Sequence, residues 1–203
     1  MTPRRGAGPD ALTFTERARR QQLIDATIDL ISTRGYPATS LSAIAERAGL
    51  SKAAALYHFS SKDNLTRATL EQVMEQFGAY VSERVAQAAG PRDAIVTYVR
   101  AMIGYQQAHR RQVRVITEML LDDEGGTRLK TPGSHDTGGR WQALADLLKE
   151  GQQAGALREF DTRTVALAID GVIAHWLVHP ALDLDAAAAE LEEFTLHAIE
   201  RRA

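Results

Sequence analysis

Leu41-Ser-Ala-Ile-Ala-Glu-Arg-Ala-Gly-Leu-Ser-Lys-Ala-Ala-Ala-Leu-Tyr-His-Phe59 is the stretch that decides the fold. Ser40 starts a short helix with Leu41, Ile44, Ala45 and Ala48 on one face. Gly49 ends it, because a glycine takes positive φ without steric cost. Ser51 then caps a second short helix that runs to about Phe59. Ala45 is small enough to let the second helix cross closely, and Ile44, Leu50, Ala55 and Phe59 can bury the seam. Two short helices around a tight glycine turn are the spacing of a helix-turn-helix, whose second helix enters a DNA major groove.

The residues of the second helix suit that task. Ser51 and Lys52 stand at its N-terminus, where free N–H groups and the helix dipole favour phosphate. Tyr57, His58 and Lys62 can hydrogen-bond or attract backbone oxygens. Ala53 and Ala54 let the helix lie close to base edges, and a methyl group can touch a thymine methyl. Phe59 is read as a core aromatic.

Outward from this stretch the chain reads as helix nearly throughout. Ala, Leu, Glu, Gln and Arg dominate, and alternating β-branched runs are absent. Residues 1–14 read as a flexible basic arm. Thr15 is read as the cap of a helix to about Arg34. A long helix is expected over about 62–89, and over 92–122 either a pair that breaks near His109-Arg110-Arg111 or a single bent helix. Residues 123–139 form an expected surface loop. Further helices are expected from Trp141 to about 154, from a cap at Asp161 to about 177, and from a cap at Asp185 to about 201. The expected domains are thus 15–61, carrying the helix-turn-helix, and 62–203.

The 203 residues hold 24 Lys+Arg against 26 Asp+Glu and no cysteine, which excludes disulfides and thiol chemistry. Charge is uneven, however. Residues 1–65 hold nine Lys+Arg and six Asp+Glu, whereas residues 66–203 hold fifteen and twenty. A basic head on an acidic body points to a polyanion partner for the head. Arg4, Arg5, Arg17, Arg19 and Arg20 are candidates for added phosphate or minor-groove contact. No apolar run approaches the roughly 18 residues of a spanning helix, and no signal core follows the basic N-terminus, so a cytoplasmic protein without a membrane partner is expected.

At Ile24-x-Ala26, Gly35-Tyr36-x-x-Thr39-Ser40, Ile44-Ala45-x-x-Ala48-Gly49-Leu50-Ser51-Lys52 and Leu56-Tyr57-His58-Phe59-Ser60-Ser61-Lys62-Asp63-x-Leu65, residues 17–65 resemble the DNA-binding domain of TetR-family transcriptional regulators. The resemblance implies an all-α fold: an N-terminal three-helix helix-turn-helix domain, then a larger helical ligand-binding and dimerisation domain. It implies a homodimer on a palindromic, double-stranded operator, most often a repressor released by a small-molecule effector. Ser51, Lys52, Ala53, Leu56, Tyr57 and His58 then fall on the recognition helix, Lys62 on a phosphate, and Thr39 and Ser40 against the DNA backbone. Three consecutive alanines, Ala53 to Ala55, depart from the family pattern and offer no side-chain hydrogen bond to a base.

In the body, Tyr98, Met102, Tyr105, Met119, Trp141 and Trp176 are large amphipathic residues at helical spacing, with His109 and His175 as polar handles. They are the candidate lining for a flat or greasy effector. Val165, Ala168 and Val172 on one helix, and Leu191, Phe194 and Ala198 on the last, are the candidate dimer stripes. His175 and His179 could share a metal, but no carboxylate pattern supports one. Ser134-His135-Asp136 cannot form a relay, because neighbouring side chains in one loop do not converge. No catalytic residue, metal or cofactor is expected. The competing reading is an effector-independent DNA-binding activator or architectural protein.

Overall fold

The computed structural model describes residues 13–120, 138–176 and 183–200. Among them are nine helices and no strand: α1 (Phe14–Arg34), α2 (Leu41–Arg47), α3 (Lys52–Phe59), α4 (Lys62–Val85), α5 (Pro91–Ala108), α6 (Arg110–Leu120), α7 (Gly138–Gln153), α8 (Thr162–Trp176) and α9 (Leu184–Ile199). The fold is all-α. It divides into two compact units, one ending at Glu71 and the other starting at Gln72, so the division falls inside α4.

The first unit is built on α1, whose buried stripe holds Leu23, Ile24, Ala26, Thr27, Ile28, Leu30 and Ile31. Ile44 and Ala45 of α2, and Ala55 and Phe59 of α3, complete its core with Leu65 and Leu70. The helix starts are chemically specified. Ser40 accepts from the Ala43 N–H and Ser51 from the Ala54 N–H. Between them, Leu50 N–H donates to Ala45 O and Gly49 N–H to Glu46 O, with Gly49 at φ 68°. That pair of bonds is a Schellman close, which needs the left-handed residue glycine supplies.

The start of α1 differs from expectation. Thr13, not Thr15, is the cap, and Thr13 and Glu16 close a reciprocal capping box. Only Thr13 has a glutamate three residues on, which is what the box requires. Likewise Asp183, not Asp185, caps α9, accepting from the N–H groups of Asp185 and Ala186. Asp161 accepts from Thr164 N–H at 2.7 Å, as a cap of α8 should. α4 stops at Val85, where Gln87 and Ala88 turn back with tighter bonds to Arg84 and Val85. Ala86, Ala88 and Ala89 have little side chain to bury, and Pro91 begins the next helix. The expected break near His109 falls at His109 itself, which leaves helical geometry at φ −121° and ψ 45°.

In the second unit, α5 is buried on most of its circumference, from Ala94 through Gln106. A helix apolar nearly all round is a central one, and α5 packs against both α7 and α9. The α5–α9 register is marked by three polar rungs: Arg92 to Glu200, Arg100 to Glu192, and Gln107 to Asp185. The residue numbers of each pair add to the same value, so the two helices run antiparallel without drift. Arg100 donates to both carboxylate oxygens of Glu192, through Nε at 2.7 Å and Nη2 at 2.6 Å. The rungs are exposed, so each stabilises by only about 0.2–1 kcal/mol. Arg100→Glu is expected to cost about 1 kcal/mol by setting two carboxylates together. Arg100→Glu combined with Glu192→Arg should recover most of it. Urea unfolding of the two single variants and the double checks this, and no recovery in the double would refute the pairing.

Among the described residues no helix is long and apolar enough to cross a membrane, and no group of three or more His, Asp or Glu gathers as a metal site. His179 and Ser134-His135-Asp136 lie outside the described residues.

Candidate functional site

The outward face of α3 is the most developed surface of the first unit. Ser51, Lys52, Ala53, Leu56 and Tyr57 are exposed, while Ala55 and Phe59 are buried. Positions 52, 53, 56 and 57 repeat at helical spacing, so they form one stripe. Tyr57 is 75% exposed. The half-buried His58 sets its ring edge-on to Tyr57, with centroids 5.1 Å apart. The Tyr57 hydroxyl donates to Glu16 Oε1 at 3.5 Å. Ser40 is also exposed, at the start of α2.

Three residues expected at the DNA surface are placed differently. Thr39 is 2% exposed, and its hydroxyl donates to Gly35 O at 2.8 Å. It closes the turn after α1 and has no free face. Lys62 is half-buried: its Nζ donates to Tyr36 O at 3.3 Å and sits 4.1 Å from the Tyr36 ring centroid. Burial holds this ammonium below the ordinary lysine value, with Asp63 pulling the other way. Arg20 donates to the His58 carbonyl and lies 4.0 Å from the Phe59 ring centroid. The two cations use one device, a ring beneath and a backbone carbonyl at the tip. Arg20 holds the last turn of α3, and Lys62 holds the turn after α1. Arg17 and Arg19 are exposed, and Arg19 also donates to Gln22. Arg4 and Arg5 lie outside the described residues.

The effector candidates fall into different settings. Tyr98, Met102 and Tyr105 of α5 and Met119 of α6 are buried. Tyr105 stacks on His109 at 4.3 Å and on Phe77 at 4.5 Å, with Tyr80 edge-on at 5.3 Å. Burial raises the Tyr105 phenol above its ordinary value. Sequence reasoning missed Phe77 and Tyr80. Their signal is an aromatic pair one turn apart on α4, with Arg84 a turn further lying over the Tyr80 ring. Trp141 is half-buried with the Arg163 guanidinium 5.2 Å away. Trp176 lines a groove between α8 and α9, and His175 is exposed.

That groove, of about 570 Å³, is lined by Ala168, Ile169, Val172, Trp176, Leu191 and Phe194 among others. Val172 is 40% and Phe194 65% exposed, and Ala168 is exposed as well. Leu191 is only 7% exposed and serves its own chain's core. Val165 and Ala198 are half-buried.

This architecture defines a class: a helix-turn-helix unit with an outward second helix, joined to a larger helical body. Residues 23–69 match the family described as bacterial regulatory proteins, tetR family. It is this helix-turn-helix unit that is similar to the tetR family. The HTH-type transcriptional regulator BetI of Burkholderia ambifaria is 38% identical over 84 residues, 41% of this chain and 43% of that protein. The chain therefore matches less than half the length of that curated relative. The fold as a whole is shared with a bacterial regulatory protein in the tetR family from Rhodococcus RHA1, at TM-score 0.71 and 20% identity, over 91% of this chain and 98% of that one. It is also shared with AibR in complex with isovaleryl coenzyme A and operator DNA, at TM-score 0.69 and 21% identity, over 87% of this chain and 97% of that one.

Proposed function

We propose that this chain is a cytoplasmic, homodimeric transcriptional repressor that grips a palindromic operator with α3 and lets go when a small molecule binds its body. The observation that carries this reading is the outward stripe of α3. Lys52 and the free N–H groups at its start suit phosphate, and Ala53, Leu56 and Tyr57 suit base edges. Ser40, Ser51 and His58 flank the stripe and complete the proposed contact set. The exposed apolar α8–α9 groove supports a second copy as its cover, since exposed patches of this kind mark interaction sites.

The effector is assigned to the second unit, at the aromatic cluster of Tyr105 and His109, with Tyr98, Met102, Met119 and Trp141 as further candidates for its lining. AibR, which shares the fold, was solved with an acyl coenzyme A, so isovaleryl coenzyme A is the first probe. An effector weakens DNA binding only through its different affinities for two states of the protein. α4 contributes to both units, and so provides a continuous covalent route between them.

The test is retention of a labelled duplex carrying the intergenic segment beside the chain's own coding region, titrated with salt and then with the probe. Binding should fall steeply as salt rises, because phosphate contacts release counterions. Salt-insensitive or absent retention would sink the DNA reading. Retention unaffected by any acyl coenzyme A offered would leave a regulator without this class of effector.

A further inference from the structure

Resting on the DNA-binding reading, we propose that Glu16 sets the hydrogen-bond polarity of Tyr57, so that the phenol oxygen acts as an acceptor and selects a base that carries an amino group. On the outward stripe of α3, Ala53 and Leu56 have no polar tip and Lys52 can only donate. Ser51 spends its oxygen on the Ala54 N–H. Tyr57 is therefore the stripe's adaptable polar group, and its chemistry depends on where its single proton points.

Glu16 decides that. An ionised carboxylate accepts and cannot donate. With the phenol proton directed at Glu16 Oε1, 3.5 Å away, the oxygen lone pairs are left facing outward. Glu16 cannot swing aside freely. Its Oε2 accepts from both the backbone N–H and the hydroxyl of Thr13, each at 2.8 Å. The Thr13 hydroxyl oxygen in turn accepts from the Glu16 N–H at 3.2 Å. The same Thr13 bonds hold the carboxyl below the usual range, which keeps it charged. The edge-on His58 ring also contacts the Tyr57 ring, with centroids 5.1 Å apart.

Two consequences follow for the partner. A lone pair beside a fixed negative charge is repelled by phosphate, so Tyr57 is turned to a base edge. In the major groove the available donors are the amino groups of adenine and cytosine, whereas guanine and thymine present keto acceptors. Glu16→Gln keeps the capping box, in which glutamine serves as well as glutamate. Its amide can then donate to the phenol oxygen, which frees the phenol proton to point outward. The polarity inverts while the fold stays.

The experiment selects bound duplexes from a randomised pool with the full-length chain, its Tyr57→Phe variant and its Glu16→Gln variant. The unsubstituted chain should restrict one half-site position to adenine or cytosine. Tyr57→Phe should lose that preference alone, by roughly 5- to 100-fold, with the other positions unchanged. Glu16→Gln should move the same position towards guanine or thymine. The same bases enriched by Glu16→Gln as by the unsubstituted chain overturn the proposal. So does an unchanged profile for Tyr57→Phe, a surface change that leaves the core alone. If the unsubstituted chain retains no duplex, the DNA reading itself falls and takes this assignment with it.

Discussion

Phe194→Asp and Val172→Asp are each expected to yield a monomer that keeps its helices and loses operator affinity by roughly 100- to 10,000-fold. The first part follows from exposure. Phe194 is 65% and Val172 40% exposed in the protomer, so neither aspartate enters the chain's own core. Across an interface each of these side chains would gain about 1.5–3 kcal/mol from burial, and an unpaired carboxylate in its place reverses the sign. Gly171, next to Val172 in α8, is exposed and has open space where a Cβ would stand, which suits close approach by another helix. The second part is avidity. A dimer on two half-sites engages the second at high effective concentration, and a monomer does not. Sedimentation velocity, circular dichroism and duplex retention give the three readouts. An intact dimer in both variants refutes this interface. Leu191→Ala is the contrasting case. At 7% exposure it belongs to the protomer core, and it should cost about 2–5 kcal/mol of stability instead.

The parts of the fold legible in the sequence are those set by neighbours in the chain. Ser40, Gly49 and Ser51 each act within a few residues, and α2, the turn and α3 fall where those residues put them. The same local logic, applied to Thr13 with Glu16, would have started α1 correctly. Two threonines in a row of candidates hid the one that has its glutamate partner. Asp183 and Asp185 pose the same ambiguity at α9, and backbone geometry alone resolves it. The break at His109 was legible because charge interrupts the apolar pattern there.

What sequence could not reach is the direction in which a side chain spends its charge. Lys62 and Lys52 look alike as letters. One bonds a carbonyl 26 residues away and the other faces outward. Arg20 reaches a carbonyl 38 residues away. The aromatic cluster likewise depends on α4 and α5 bringing Phe77 and Tyr80 to Tyr105, which no periodicity within one helix states. Thr39 shows the limit most simply. A hydroxyl at a motif position reads as a contact, yet it is buried and closes a turn.

That difference between cations has a measurable consequence. Lys52→Ala is expected to weaken duplex binding for all sequences and to reduce the slope of log affinity against log salt by about one, because one phosphate contact and its released counterion are lost. Lys62→Ala and Arg20→Ala should weaken binding too, but with the slope unchanged. Their charges are spent on Tyr36 and on His58 with Phe59, and no counterion is released from them on binding. Each should instead lower stability by about 1–3 kcal/mol, since a carbonyl loses a charged donor and a ring loses its cation. Arg20→Lys should restore part of the loss, as an ammonium can still reach the His58 carbonyl, though not with the planar stacking of a guanidinium. Salt titrations of the three alanine variants, paired with denaturant unfolding, separate the roles. A flattened slope for Lys62→Ala or Arg20→Ala would return that residue to the phosphate backbone. An unaltered slope for Lys52→Ala would take from the outward face of α3 its only charged contact, and the grip on DNA would have to be sought elsewhere on the first unit.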